Sequence, residues 1–317
     1  MTDKTVFIDG EAGTTGLGIR ERLAEVPGVA IRSVEPSRRK ETGARREMMA
    51  AVDLVVLCLP DAAAKESVAL AASLGTKAPR LLDASSVHRC DPEWVYGWAE
   101  LAPGQAERIA RADKVANPGC YPTGAIALIR PLVEAGLLPR DYPVTVNAVS
   151  GYSGGGRAAI EAHEATGGPP FELYALGLEH KHVPELQRCT GLTRRPIFVP
   201  SVAHMRQGMV VSVPLHLDAL PGRPTIERLH SVLATYYAGA EQVRVRPAEA
   251  EGKLEATALN DTDLMELRVF GNERYGHAVL VAQLDNLGKG ASGAAVQNIR
   301  LMLGLAAQAG RELAHAE

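Results

Sequence analysis

The chain has 317 residues, a hydrophobic fraction of 46% and a formal net charge of -3. That is enough apolar material for two cores, and too balanced a charge to recruit nucleic acid or an anionic membrane by overall field. The polar start runs straight into a short apolar segment, unlike a secretory signal, and the longest apolar stretch, 51–60, falls short of the roughly 20 residues a spanning helix needs. A cytoplasmic protein of two domains with a small-molecule partner is expected. Its four cysteines, Cys58, Cys90, Cys120 and Cys189, are scattered without a C-x-x-C pair, which argues against a disulfide framework or a zinc ribbon.

In chain order, the β-prone triplet Val6-Phe7-Ile8 leads into a glycine-punctuated turn and a helical pattern through Ile19, Leu23 and Val26. Strands follow at 29–34, 54–59 and 80–83, with an alanine-rich helix at 61–74. Strand and helix alternate, which implies a parallel sheet with right-handed crossovers. From Pro143 the texture changes. Segments 144–149, 196–201, 210–217, 242–245, 266–270 and 278–284 alternate or run apolar with few long helices among them, and predict a separate, largely antiparallel sheet domain. A helical stripe through Ile299, Met302, Leu305 and Leu313 closes the chain over 298–314.

The first turn spaces Gly10, Gly13 and Gly16 as G-x-x-G-x-x-G between strand and helix. Glycine lets the backbone turn sharply and approach a pyrophosphate, the helix start offers free N–H groups, and the hydroxyls of Thr14 and Thr15 add donors. Glu35 falls where an acidic residue binds a ribose 2'-hydroxyl, but Ser37, Arg38, Arg39 and Lys40 follow at once and suit a 2'-phosphate. NADP is therefore the expected cofactor.

Asn117-Pro118-Gly119-Cys120-Tyr121-Pro122-Thr123-Gly124 fixes a turn that presents Cys120 just before the apolar helical run 125–129. At a helix start the dipole and free N–H groups favour thiolate, the form a nucleophile requires. Cys58, inside an apolar strand, reads as core, and Cys189 as packing at a helix end. Cys90 follows His88 and Arg89 without a feature that makes it a second nucleophile.

These segments, with Ser85-Ser86-Val87-His88-Arg89, Val149-Ser150-Gly151-Tyr152-Ser153-Gly154-Gly155-Gly156-Arg157, Glu179-His180-Lys181-His182-Val183-Pro184-Glu185 and Asp285-Asn286-Leu287-Gly288-Lys289-Gly290, resemble the N-acetyl-gamma-glutamyl-phosphate reductase family in its shorter form. The resemblance spans nearly the whole chain. It implies a Rossmann-type NADP-binding domain over 1–119 and 287–317, and an α+β catalytic domain of the glyceraldehyde-3-phosphate dehydrogenase type over 120–286. It also implies a homo-oligomer, dimer or tetramer, in arginine biosynthesis, with an acyl phosphate, a semialdehyde and inorganic phosphate as its small molecules.

The chemistry so implied is attack by Cys120 on the acyl phosphate, loss of phosphate, and reduction of the thioester to an aldehyde by the dihydronicotinamide. The resemblance places His180 beside the cysteine as acid-base group, with His182 and Glu185 orienting it or binding substrate. Arg89 has the planar fork for a substrate carboxylate or phosphate. Ser153 and Gly154, with the glycines after it and Arg157, offer donors to an anion. Asn286, Gly288 and Lys289 resemble the family segment near the nicotinamide, which returns the final helix to the first domain and places the active site between the domains. A zinc site of His180, His182 and Glu185 is set aside because the chemistry needs no metal. The alternatives are a longer or carrier-linked acyl phosphate, aspartate-semialdehyde dehydrogenase, and a non-catalytic NADP sensor.

Overall fold

The computed structural model describes residues 3–248 and 252–305. They form two compact units: the chain up to Pro118 together with the stretch from Ala291, and Gly119–Gly290.

In the first unit, β1 (Lys4–Asp9), β2 (Val29–Arg32), β3 (Leu54–Leu57), β4 (Arg80–Asp83), β5 (Val95–Tyr96) and β6 (Lys114–Ala116) pair in parallel in the order β2-β1-β3-β4-β6-β5. Every residue of β3 is buried, as a parallel strand covered on both faces must be. The period of two sorts side chains onto two cores. Val6, Ile8, Leu54 and Val56 pack with Ile19 and Leu23 of α1 (Thr14–Leu23) and with Ile299 and Met302 of the final helix, Gly293–Leu303. Phe7, Val55 and Leu57 pack with Ala44 and Met49 of α2 (Thr42–Met49) and Ala71 of α3 (Asp61–Ala72). Helix α4 (Gln105–Arg111) lies against the final helix. Strands β2 and β3 end two residues earlier than the expected segments 29–34 and 54–59, whereas β4 matches 80–83. Helix α2 was not foreseen, because a sequence with only Ala44 and Met49 buried carries too thin an apolar stripe to read. Leu313 and the rest of the predicted stripe past 305 lie outside the described residues.

The second unit starts with α5 (Cys120–Glu134) and β7 (Thr145–Gly151), followed by α6 (Gly156–Thr166), β8 (Phe171–Leu173), α7 (Val183–Thr190), β9 (Ile197–Ala203) and β10 (Met209–His216). Helix α8 (Ile226–Tyr236), β11 (Val243–Val245), β12 (Met265–Asn272) and β13 (His277–Leu284) complete it. Seven strands run in the order β11-β12-β13-β10-β7-β9-β8. Four pairings are antiparallel, and β7–β9 and β11–β12 are parallel. Two helices of ordinary length, α6 and α8 with 11 residues each, lie among the strands. Helix α6 is alanine-rich without a buried stripe, but α8 had a readable signal: Thr225 caps it, accepting from Arg228 N–H at 3.1 Å, and Leu229 and Leu233 face inward.

Helix α5 packs on β10 and β13, flanked by α7 and α8. Gly124 allows that approach, because a Cβ there would stand 2.9 Å from Val211 Cγ2. Pro131, inside α5, has no N–H for the carbonyl of Ala127, and the Tyr237 hydroxyl donates to that carbonyl instead at 3.0 Å. Among the described residues no helix is long and apolar enough to cross a membrane.

Candidate functional site

Each unit carries one candidate region, and in the first it is the glycine loop. Gly10 has φ 93°, and a Cβ on it would meet the Cys58 carbonyl oxygen at 2.3 Å, so only glycine fits. Gly16 is equally constrained by the Gly10 carbonyl oxygen at 2.5 Å. Gly13 differs: a Cβ would have ordinary contacts, 3.5 Å at nearest, so the protein's own packing does not demand glycine there. Gly13 is the N-cap of α1 and no side chain caps it, which leaves the amides of Thr14, Thr15 and Gly16 at a positive helix end suited to a pyrophosphate.

Beside this turn opens a cleft of about 490 Å³ lined by Glu11, Ala12, Leu17, Arg20, Ser33, Val34, Glu35, Pro36 and Arg39. The basic side chains that reach it differ from those expected. Arg38 turns away, with Nε on Glu41 at 2.9 Å, and Ser37 does not line the cleft. Arg39 does, and Arg20 joins it from the first helix, each paired with Glu11, at 2.8 and 2.7 Å. Sequence reasoning overlooked Arg20 and Ser33. The spacing of Arg20, one face of α1 after the glycines, was the signal that could have found the first; Ser33 had none. The first-turn amides after Gly13 and two arginines in an open cleft fit a dinucleotide with a 2'-phosphate.

Cys58 follows β3 directly, and burial pushes its thiol up to about 12, as an inert core cysteine requires. Arg89 is drawn inward, with Nε donating to Asn117 O at 2.9 Å and Nη2 to Ala84 O at 3.3 Å, so it braces the turn leading to Cys120. Asn117 is held further by Asn298, whose Nδ2 donates to Asn117 Oδ1 at 2.9 Å.

In the second unit Cys120 is the first residue of α5, after Gly119 in an extended conformation. The buried carboxylate of Glu185 accepts the Gly119 N–H at 3.1 Å and fixes the turn. His180, His182, Tyr121 and Tyr174 gather nearby, with the His180 and His182 ring centres 4.7 Å apart and Tyr121 6.1 Å from His180. Their hydrogen bonds run in one direction. The His182 N–H donates to His180 Nδ1 at 3.1 Å, so neutral His180 carries its proton on Nε2. Nε2 stands 3.4 Å from the Tyr174 hydroxyl, which donates to Tyr121 Oη at 3.3 Å, and Tyr121 donates to Ser201 O at 2.9 Å. Burial pushes the Tyr174 hydroxyl up to about 12 and that of Tyr121 higher still, and charge on Cys120 adds to both. Tyr174 escaped sequence reasoning, since it stands in no motif and reaches His180 only through the fold.

Other expected site residues serve internal packing. Asn286 spends both ends of its amide within the unit, Oδ1 accepting from Gly208 N–H at 2.8 Å and Nδ2 donating to Ser153 Oγ at 2.9 Å. Ser153 is thereby enclosed, while Gly154 stays exposed beside it. Gly288 is glycine because a Cβ would strike the Thr262 carbonyl. Lys289 is fully buried with Nζ on Gln242 Oε1 at 2.8 Å, so its ammonium is held inside rather than presented to a cofactor. Gly290 lies beside Cys120: a Cβ on it would be 3.0 Å from Cys120 Cβ. Among the described residues no three His, Cys, Asp or Glu side chains gather as a metal site.

Residues 24–109 match the semialdehyde dehydrogenase NAD-binding domain, and 120–286 the semialdehyde dehydrogenase dimerisation domain. Among solved structures, aspartate semialdehyde dehydrogenase from Francisella tularensis superposes with a TM-score of 0.71 at 14% identity, over 93% of this chain and 99% of that one. Aspartate semialdehyde dehydrogenase II from Vibrio cholerae does so with a TM-score of 0.69 at 16% identity, over 96% and 99%. At such identity these share the fold alone. In sequence the chain is 52% identical over 316 residues to the N-acetyl-gamma-glutamyl-phosphate reductase of Burkholderia cenocepacia, covering 98% of this chain and 100% of that one. It is 54% identical over 307 residues to the N-acetyl-gamma-glutamyl-phosphate reductase of Brucella ovis, covering 94% and 98%. By these matches the chain belongs to the N-acetyl-gamma-glutamyl-phosphate reductase family of semialdehyde dehydrogenases.

Proposed function

We propose that the chain reduces N-acetyl-gamma-glutamyl phosphate to N-acetylglutamate 5-semialdehyde with NADPH, releasing phosphate, through a thioester on Cys120. It does so in the cytoplasm as a step of arginine biosynthesis, as a homo-dimer or tetramer. The observation that carries this reading is Cys120 as the first residue of a buried helix, next to Tyr121, which hydrogen-bonds Tyr174, which in turn meets His180.

The Cys120 thiolate attacks the acyl carbon, the bond from that carbon to the phosphate oxygen breaks, and phosphate leaves with the electron pair. NADPH, when bound, supplies the hydride. The proton on His180 Nε2 is offered to the oxygen of the Cys120 adduct and taken back as the C–S bond breaks, which frees the aldehyde and regenerates thiolate. The His182 N–H keeps His180 in the tautomer that has this proton to give. Glu185 holds the turn so that the sulfur does not swing away from the helix start. The first-turn amides after Gly13 would hold the cofactor's pyrophosphate, and Arg20, Ser33 and Arg39 its 2'-phosphate.

The test is phosphate-dependent reduction of NADP with N-acetylglutamate semialdehyde, run beside the acetylated semialdehyde one carbon longer and aspartate semialdehyde. Clear preference for the first is expected. Equal or faster turnover of either competitor overturns the substrate assignment.

A further inference from the structure

Glu11 stands at the second position of a loop built for phosphates, where a carboxylate opposes the ligand. Its side chain is only 10% exposed, yet it lines the cleft. Oε1 accepts from Arg39 Nη2 at 2.8 Å, and Oε2 from Arg20 Nη1 at 2.7 Å and Ser33 Oγ at 2.9 Å. Arg20 Nη1 also reaches Ser33 Oγ at 2.9 Å. The three side chains best suited to a phosphate monoester at this end of the cleft are therefore already gathered around an internal carboxylate, which makes the same demand on donors as two phosphate oxygens. Glu35 also lines the cleft, so its two arginines are matched in number by two carboxylates.

We propose that Glu11 is a built-in counter-ion to Arg20 and Arg39 that competes with the cofactor's 2'-phosphate for them, so that Glu11 sets the discrimination between NADPH and NADH. The proposal rests on the reading that this cleft receives the adenosine 2'-phosphate. The two arginine side chains are 45% and 42% exposed, so an incoming anion meets their outer edges while the carboxylate stays behind them. From there its charge subtracts from the attraction at a distance where Coulomb energy is not yet screened by salt. The internal pair also spares the protein two uncompensated cations when no cofactor is bound.

The experiment is calorimetric titration of the whole protein with 2',5'-ADP and with 5'-AMP. Glu11→Gln keeps the shape and one acceptor but removes the charge. It should bind 2',5'-ADP about tenfold more tightly than the unmodified protein, with 5'-AMP changed less than about twofold. Glu11→Asp keeps the charge but withdraws it by one methylene, should fall between the two, and serves alone if Glu11→Gln does not fold. Unchanged or weaker binding of 2',5'-ADP by the variants refutes the role of Glu11. If the unmodified protein meanwhile prefers 2',5'-ADP and Arg39→Gln loses that preference, the NADP reading stands without it. An unmodified protein that does not distinguish the two fragments overturns the NADP reading, and the role of Glu11 with it.

Discussion

Helix α1 begins after Gly13 and helix α5 after Gly119, both in extended conformation, and in neither case does a side chain cap the first turn. Their surroundings separate them. Gly13, Thr14 and Thr15 are partly exposed beside an open cleft, so the free amides face outward. Gly119 is buried, its N–H is taken by Glu185, and the first residue carries a sulfur. On the proposed function, the same uncapped helix start serves an external anion in one unit and an internal one, a thiolate, in the other. Burial and the nearest carboxylate decide which, rather than the local backbone.

The sharpest way to break this comparison is to remove the internal anion. Cys120→Ala should lower turnover by about 10⁴-fold or more while binding of the cofactor stays nearly intact, because the first unit keeps its own helix start. Cofactor affinity by titration and rate by aldehyde formation separate the two effects, and appreciable residual turnover refutes the thioester. Next in size is the partner of the buried start. Glu185→Ala leaves the Gly119 N–H without its carboxylate inside the protein and should cost about 2 kcal/mol in chemical denaturation, most of it recovered by Glu185→Gln, which retains an acceptor. Equal losses for both variants would mean that charge, and not the hydrogen bond, holds the turn.

At the exposed start the comparison is sharpened by two neighbouring arginines. Arg39 lines the cleft and Arg38 pairs outward with Glu41. Arg39→Gln should weaken 2',5'-ADP by about tenfold, whereas Arg38→Gln should alter it less than about twofold, since an exposed ion pair at this spacing contributes little. Similar losses from both would show that the field of the basic segment matters and not the position of one fork.

This pair also marks the limit of what the sequence discloses. The basic segment 37–40 announces a 2'-phosphate site, but composition does not say which side chain turns inward; that is set by the short helical turn Pro36–Arg38, which sends successive residues in different directions. Cys120 was legible because its surroundings are local, two prolines and two glycines in eight residues. Tyr174 was not, as its link to His180 crosses from β8 toward α7 and depends on where the chain turns between them. Asn286, Gly288 and Lys289 looked like ligands by their place in a motif, and the fold spends them on Gly208, Thr262 and Gln242. The parallel sheet was readable from alternation, while α2 and α6 were hidden by their lack of an apolar face.

The smallest effect lies at the far end of α5 from the sulfur, and shows how the buried helix tolerates a proline that the exposed one lacks. Pro131 leaves the Ala127 carbonyl without its usual amide four residues on, in a stretch where both are buried. The hydroxyl of Tyr237, just past the end of α8, supplies the missing donor at 3.0 Å. Tyr237→Phe keeps the ring packed and deletes only that donor, so the midpoint of denaturation should fall by an amount worth about 1 kcal/mol, with turnover per folded molecule unchanged. In a Pro131→Ala background the helix provides its own amide, and the same tyrosine substitution should then cost less. A double-mutant cycle measures the difference, and strict additivity would show that the hydroxyl does not compensate for the proline.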